Sequence, residues 1–182
     1  MGIDDLPPGA MADAGWAAHL VGSPPCIGPA IVANREVGQA TVAYRQTADG
    51  AATYPGGGET GGAPLSVVEH LSSYAGSGAK EAYTAATAAI ASCRSLTFTE
   101  RGTRVSVTEI TPSTGAAIGQ QSVDYEASVT YGQTPLHAEA VVGVDGHVVV
   151  MLAYLTPAAP DTATLAKYTG RAASDIALHA HS

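Results

Sequence analysis

At 182 residues the chain is long enough for one domain with a real core, burying roughly two-thirds of the surface its unfolded form would expose. A formal net charge of −8, with only eight Lys and Arg scattered along the chain, excludes the basic stripe that nucleic-acid binding needs and sets the chain against an anionic membrane surface. No apolar run of about 18 residues occurs, so nothing reads as a transmembrane helix.

Residues 1–34 form a proline-rich N-terminal segment, with one short helical possibility around 10–20 where Trp16 and Leu20 fall at i and i+4. The start, "MGIDDLPPGAMADAGW", has neither a positive n-region nor an apolar h-region and does not read as a signal peptide. The chain is therefore either cytosolic or begins after a leader, and composition does not choose between these. "EVGQATVAYRQ" alternates, with Ala40, Val42 and Tyr44 on one face, and predicts a strand. The glycine-rich stretch from 47 to 64 predicts a flexible loop.

"LSVVEHLSSYA" fits either period: Leu65, Val67 and Leu71 suit a strand, while Leu65, Val68 and Leu71 suit a helix face. "SGAKEAYTAATAAIAS" predicts a helix, capped by Ser77, with Glu81 in its first turn and a buried stripe of Ala79, Ala82, Tyr83, Ala86 and Ile90. So much alanine implies close packing on a sheet. "SLTFTE" and "RVSVTEI" predict a hairpin through Arg101-Gly102. In "SVDYEASVTY", Val123, Tyr125, Ala127, Val129 and Tyr131 point inward, and Asp124, Glu126, Ser128 and Thr130 outward. "LHAEAVVGV" and "HVVVMLAYL" flank Asp145-Gly146, the strongest hairpin signal in the chain. The second of these strands is apolar on both faces and belongs in the interior of the sheet. "PDTATLAKYTGRAASDIAL" predicts the closing helix, with Asp161 as cap, Leu165, Tyr168, Ala172 and Ile176 along one side, and Gly170 costing about 1 kcal/mol against alanine. Segregated helices and antiparallel strands define an α+β class, a single domain over 1–182 with the helices packed on one face of the sheet.

The two cysteines are Cys26, in the turn "SPPCIG", and Cys93, directly after the alanine-rich helix. They lack the paired spacing of a zinc site and form no C-x-x-C. Two readings stay open: unrelated buried thiols, or a structural disulfide stapling the turn to the helix end. The disulfide is the preferred reading. It would persist in an oxidising compartment, which agrees with a chain that begins after a leader.

Four stretches carry a family resemblance: "DLPPGAMADAGW", "PPCIGPAIVA", "VVEHLSSYAGSGAKEAYTAATAAIASCRSL", and "VVGVDGHVVVMLAY" with "PDTATLAKYTGRAASDI". In this order they resemble the exported actinobacterial sensor-type and lipoprotein domains related to the PknH-like extracellular domain family. The resemblance implies an extracytoplasmic antiparallel sheet packed by helices, with a ligand cleft and no catalytic signature. Kinase-linked members of that group typically carry two disulfides. This chain can form only one and has no kinase or membrane segment, so the resemblance points to a free or lipid-anchored binding domain.

Candidate chemistry is sparse. His179 and His181 lie in a terminal H-x-H, and "PGGGETGG" lacks the P-loop pattern. Asp124 and Glu126 share a strand face, which a solvated outer surface explains. His137 and Glu139 lie at period 2, and His147 follows the Asp145-Gly146 turn. Tyr44, Tyr125, Tyr131 and Tyr154 are the candidate ligand-binding residues, able to line an amphipathic pocket of roughly 300 Å³ or more. The reading is an extracellular or cell-envelope domain that binds a small molecule or an envelope protein, with no cofactor and no metal. The alternative is a small hydrolase or isomerase using His137, Glu139 or His147.

Overall fold

The computed structural model describes residues 10–12, 36–46, 66–100, 102–115, 117–157 and 162–180. Among these residues eight strands are formed: β1 (Ala10–Ala12), β2 (Glu36–Gln46), β3 (Ser66–Tyr74), β4 (Ser95–Glu100), β5 (Thr103–Ser113), β6 (Gln121–Tyr131), β7 (Thr134–Asp145) and β8 (Val148–Thr156). Two helices accompany them among the same residues, α1 (Gly78–Ser92) and α2 (Thr162–His179). The strands make one sheet in the order β1-β2-β3-β8-β7-β6-β5-β4, and the named pairings are antiparallel. The expected helical start does not form at Ala10–Ala12, which pairs as a short strand with β2. The ambiguous "SVVEHLSSY" is a strand because β2 and β8 flank it on both sides and satisfy its backbone.

The register fixes which side chains share a face. Val148, Val150, Leu152 and Tyr154 of β8 join Val141 of β7 and Tyr168, Ala172 and Ile176 of α2 in one buried cluster. Val149 of β8 joins Val142 and Val144 of β7, Tyr125 of β6 and Ala79, Ala82, Ala86 and Ile90 of α1 in another. Neighbouring residues of β8 thus serve different helices. The helices lie on opposite faces of the sheet, correcting the expectation that both pack on one. The physical reason is β8 itself: a strand apolar on both sides needs cover on both sides. A third cluster, Val105, Val129, Tyr131 and Leu136, continues the α1 face toward β4.

α1 follows its sequence signals with one change. Ser77 sits at the N-cap but makes no side-chain cap bond; its hydroxyl donates to the Glu81 carboxylate at 2.6 Å instead. Tyr125 ties the helix to the sheet, its hydroxyl donating to the carbonyl of Thr87 at 3.2 Å.

On the α2 face a short segment lies over the sheet between β5 and β6. Ile118 from this segment is fully buried among α2, β7 and β8. Its backbone N–H donates to Ser122 Oγ at 3.2 Å, and Gln120 N–H donates to the carbonyl of Val144 at 2.8 Å. This close approach requires Gly143, where a Cβ would stand 2.6 Å from the Ile118 carbonyl oxygen. The same segment brings Gly115 against the carboxylate of Asp124.

Candidate functional site

A cleft opens on the α1 face where β3, β8 and β7 pass under the helix. Its closed volume is only about 10 Å³, room for about one water and far short of the roughly 300 Å³ expected of a ligand pocket. Val142, Val149 and Met151 form its floor, and Ala82 and Ala86 of α1 overhang it. Alanine makes the cleft possible, since a larger side chain at either position would fill it. Tyr74, His70 and Ser72 of β3 complete the wall, alternate residues of one strand and so on one face. His70 and Ser72 are both buried, with Nε2 and Oγ 3.0 Å apart. Burial pushes the His70 imidazole below its usual value, so it stands neutral at pH 7. The cleft is therefore a narrow apolar trough with one polar corner, which takes more than a water-sized group only if α1 and the sheet part.

The four candidate tyrosines do not converge on this cleft. Tyr125 and Tyr131 lie on the α1 face but belong to different buried clusters. Tyr154 is on the opposite face, where its ring lies 6.4 Å from that of Tyr168 at 49°. Tyr44 pairs in register with Val67, and its side chain lies outside the described residues. The cleft is reached by Tyr74 instead. Reading β3 as helix or strand concealed this wall: only in a strand do His70, Ser72 and Tyr74 share a face.

The histidine and carboxylate candidates also separate. His137 and Glu139 share the α2 face, but His147 lies in the turn beyond Asp145, at the far end of β7. The eight steps from His137 to Asp145 span roughly 27 Å at ~3.4 Å per residue, so His147 cannot join them. Among the described residues, no group of three His, Cys, Asp or Glu side chains is placed to hold a metal ion.

Asp124 departs from expectation. The alternation of β6 places it on the outward, solvated face, yet it is 6% exposed. Burial, and then the neighbouring Glu139 carboxylate, push its carboxyl above the usual range, while a backbone N–H from Gly115 pulls it back. Glu139, 9% exposed, stands directly opposite Glu126 on β6 and Tyr154 on β8. Burial, then Glu139 and then Asp124, push the Tyr154 phenol far above its ordinary value, so it stays protonated. Its hydroxyl faces the Glu139 carboxylate at the edge of hydrogen-bond range, short of a closed bond. On the same face Glu69 of β3 is 1% exposed, and burial raises its carboxyl as well.

Cys93 is buried just after α1, its sulfur 3.9 Å from the carbonyl oxygen of Ser95. Among the described residues no cysteine is a free thiol. Cys26, His179 as a side chain, His181 and the loop 47–64 lie outside what the structure describes.

No known protein family matches the sequence, and no curated protein sequence matches it. Among solved structures, the extracellular domain of PknH from Mycobacterium tuberculosis superposes with a TM-score of 0.55 at 10% identity, over 84% of this chain and 68% of that one. An uncharacterized protein from Mycobacterium smegmatis aligns over 94% of this chain and 77% of its own at 12% identity, with a TM-score of only 0.36. The chain is thus similar in fold to the PknH extracellular domain. No helix among the described residues is long and apolar enough to cross a membrane.

Proposed function

We propose that this chain is an exported binding domain that performs no chemistry, and that a small, largely apolar molecule binds by widening the narrow cleft between α1 and the sheet. One observation carries the reading: the cleft is walled by apolar side chains, with a single polar corner at His70 and Ser72 to orient a ligand head group. The compartment is extracellular or the cell envelope, a reading supported by the fold shared with a domain described as extracellular. A Cys26–Cys93 disulfide belongs to the same proposal. It is supported by the absence of a free thiol at Cys93 and by the chain having only one other cysteine. The partner is a small molecule or an envelope protein, and no nucleic acid.

The test is a thermal-shift screen against fatty acids and cell-envelope lipid fragments. A ligand at 100 times its Kd stabilises by about 2.7 kcal/mol, roughly 5–10 °C for a chain of this size. Ala86→Leu, which fills the overhang, should abolish the shift. If no compound raises Tm in the wild type, or if Ala86→Leu keeps the full shift, the small molecule does not occupy this cleft.

A further inference from the structure

The α2 face of β6 and β7 holds more negative charge than a sheet tolerates without reason. Glu126 stands directly opposite Glu139, and Asp124 is diagonal to Glu139 on the neighbouring strand. Like charges directly opposite across a strand pair are destabilising. Two of these three carboxylates are more than nine-tenths buried, where charge is costlier still. No cation among the described residues pairs with any of them; Arg171 on this side pairs with Asp175 of its own helix at 3.6 Å.

Hydrogen-bonding capacity is left open at the same place. Asp124 Oδ1 and the hydroxyl of Tyr154, a residue 2% exposed, are both buried without a partner. Tyr154 directly opposes Glu139 in register, and its hydroxyl lies close enough to feel the carboxylates of both Glu139 and Asp124. Ser113 Oγ, opposite Asp124 on β5, is a third unpartnered buried atom. Native proteins leave few such groups, and several together signal something that satisfies them.

The rim repeats the charge. At the irregularity between Thr108 and Thr111 in β5, Glu109 adopts a positive φ of 57°. A bulge re-aims a side chain, and non-glycine residues accept this conformation at a cost. Here the carboxylate reaches across to β6 and accepts a hydrogen bond from Ser128 Oγ at 2.7 Å. Glu109 and Glu126 are exposed and Glu139 and Asp124 are buried, so the acidic row runs from solvent inward across β5, β6 and β7.

We propose that this row is a binding site for an aliphatic amine, one ammonium seated among Asp124, Glu139 and the Tyr154 hydroxyl and a second over Glu126 and Glu109. An ammonium carries three donors, and the inner group supplies acceptors from two carboxylates and a phenol oxygen. Strands about 4.8 Å apart set the acidic side chains along a line that a linear polyamine can follow. A metal ion is the poorer occupant, since no trio of ligating side chains among the described residues is placed for one.

Spermidine is the probe, measured by calorimetry and thermal shift on the whole chain, with potassium chloride of matched ionic strength and calcium chloride as controls. Saturable binding is expected, weakened at least tenfold by Asp124→Asn and by Glu139→Gln, and unchanged by Glu81→Gln on α1. The exposed Glu126→Gln should weaken it without disturbing the fold. An equal response to potassium chloride, or spermidine binding insensitive to all three row variants, overturns the proposal. Tighter binding of calcium that depends on the same residues also overturns it and makes the site a cation site of another kind. None of these outcomes bears on the cleft under α1, which lies on the other face.

Discussion

Asp124 shows how burial converts a residue's chemistry into a pH dependence. Its folded pKa lies above its ordinary value of 3.8, because burial first and Glu139 second disfavour the charged form. Below about pH 3.8 both the folded and the unfolded chain hold the proton, and Asp124 imposes no penalty. As pH rises past that point the unfolded chain releases its proton first, and stability falls until the folded pKa is passed. His70 acts with the opposite sign. Its folded value lies below 6.5, so its penalty develops as pH falls from 6.5 and is absent above it. A comparison between wild type and Asp124→Asn cancels the histidine. In buffer free of amines the variant should be the more stable protein at pH 7, with the gap closing toward pH 3. Urea unfolding across that range measures it. A gap that stays constant with pH would mean that the charge of Asp124 is not what destabilises the fold.

At the scale of elements, periodicity revealed most of what the fold contains. The alternation in β6, the Asp145-Gly146 hairpin and the alanine stripe of α1 are where their spacing put them. The interior place of β8 followed from its two apolar faces, and so should have the placement of the helices. A two-faced strand already states that cover is needed on each side, and α1 and α2 supply it separately. The two polar features were less legible. A carboxylate in an alternating strand looks solvated until another segment lies over it, and the segment holding Gly115 and Ile118 does so for Asp124. That approach depends on contacts distant in sequence, such as Gly143 beneath the Ile118 carbonyl, which no local pattern announces. Two glycine substitutions separate these roles. Gly143→Ala places a Cβ against backbone and should cost about 1–3 kcal/mol. Gly170→Ala in α2 meets nothing within 4 Å and should gain about 1 kcal/mol, as expected for a helix interior. Denaturant midpoints that moved the same way for both would contradict the packing of this segment.

At the scale of the whole molecule, the question is what joins the N-terminal segment to the sheet. β1 is only three residues long, and its pairing with the edge of β2 is a weak tether. Cys93 sits at a different kind of anchor. It follows α1 directly, is buried, and its own N–H donates to the carbonyl of Ile90 at 2.9 Å, closing the helix. A bond from this position to Cys26 would attach the proline-rich turn to the end of α1. Closing so long a loop removes conformations from the unfolded chain and stabilises by up to about 4 kcal/mol in the chain-entropy model. The consequence is measurable in three ways that must agree. Mass spectrometry of unreduced protein should read two hydrogens below the fully reduced mass. Alkylating agent should not label the native protein until reductant is added. Reduction should lower Tm by roughly 8–16 °C at 2–4 °C per kcal/mol for a chain of this size. A Cys26→Ser, Cys93→Ser double variant should match the reduced wild type and lose all further sensitivity to reductant. If the untreated protein carries two alkylatable thiols, the staple does not exist. An oxidising compartment would then have no support from the chemistry of the chain.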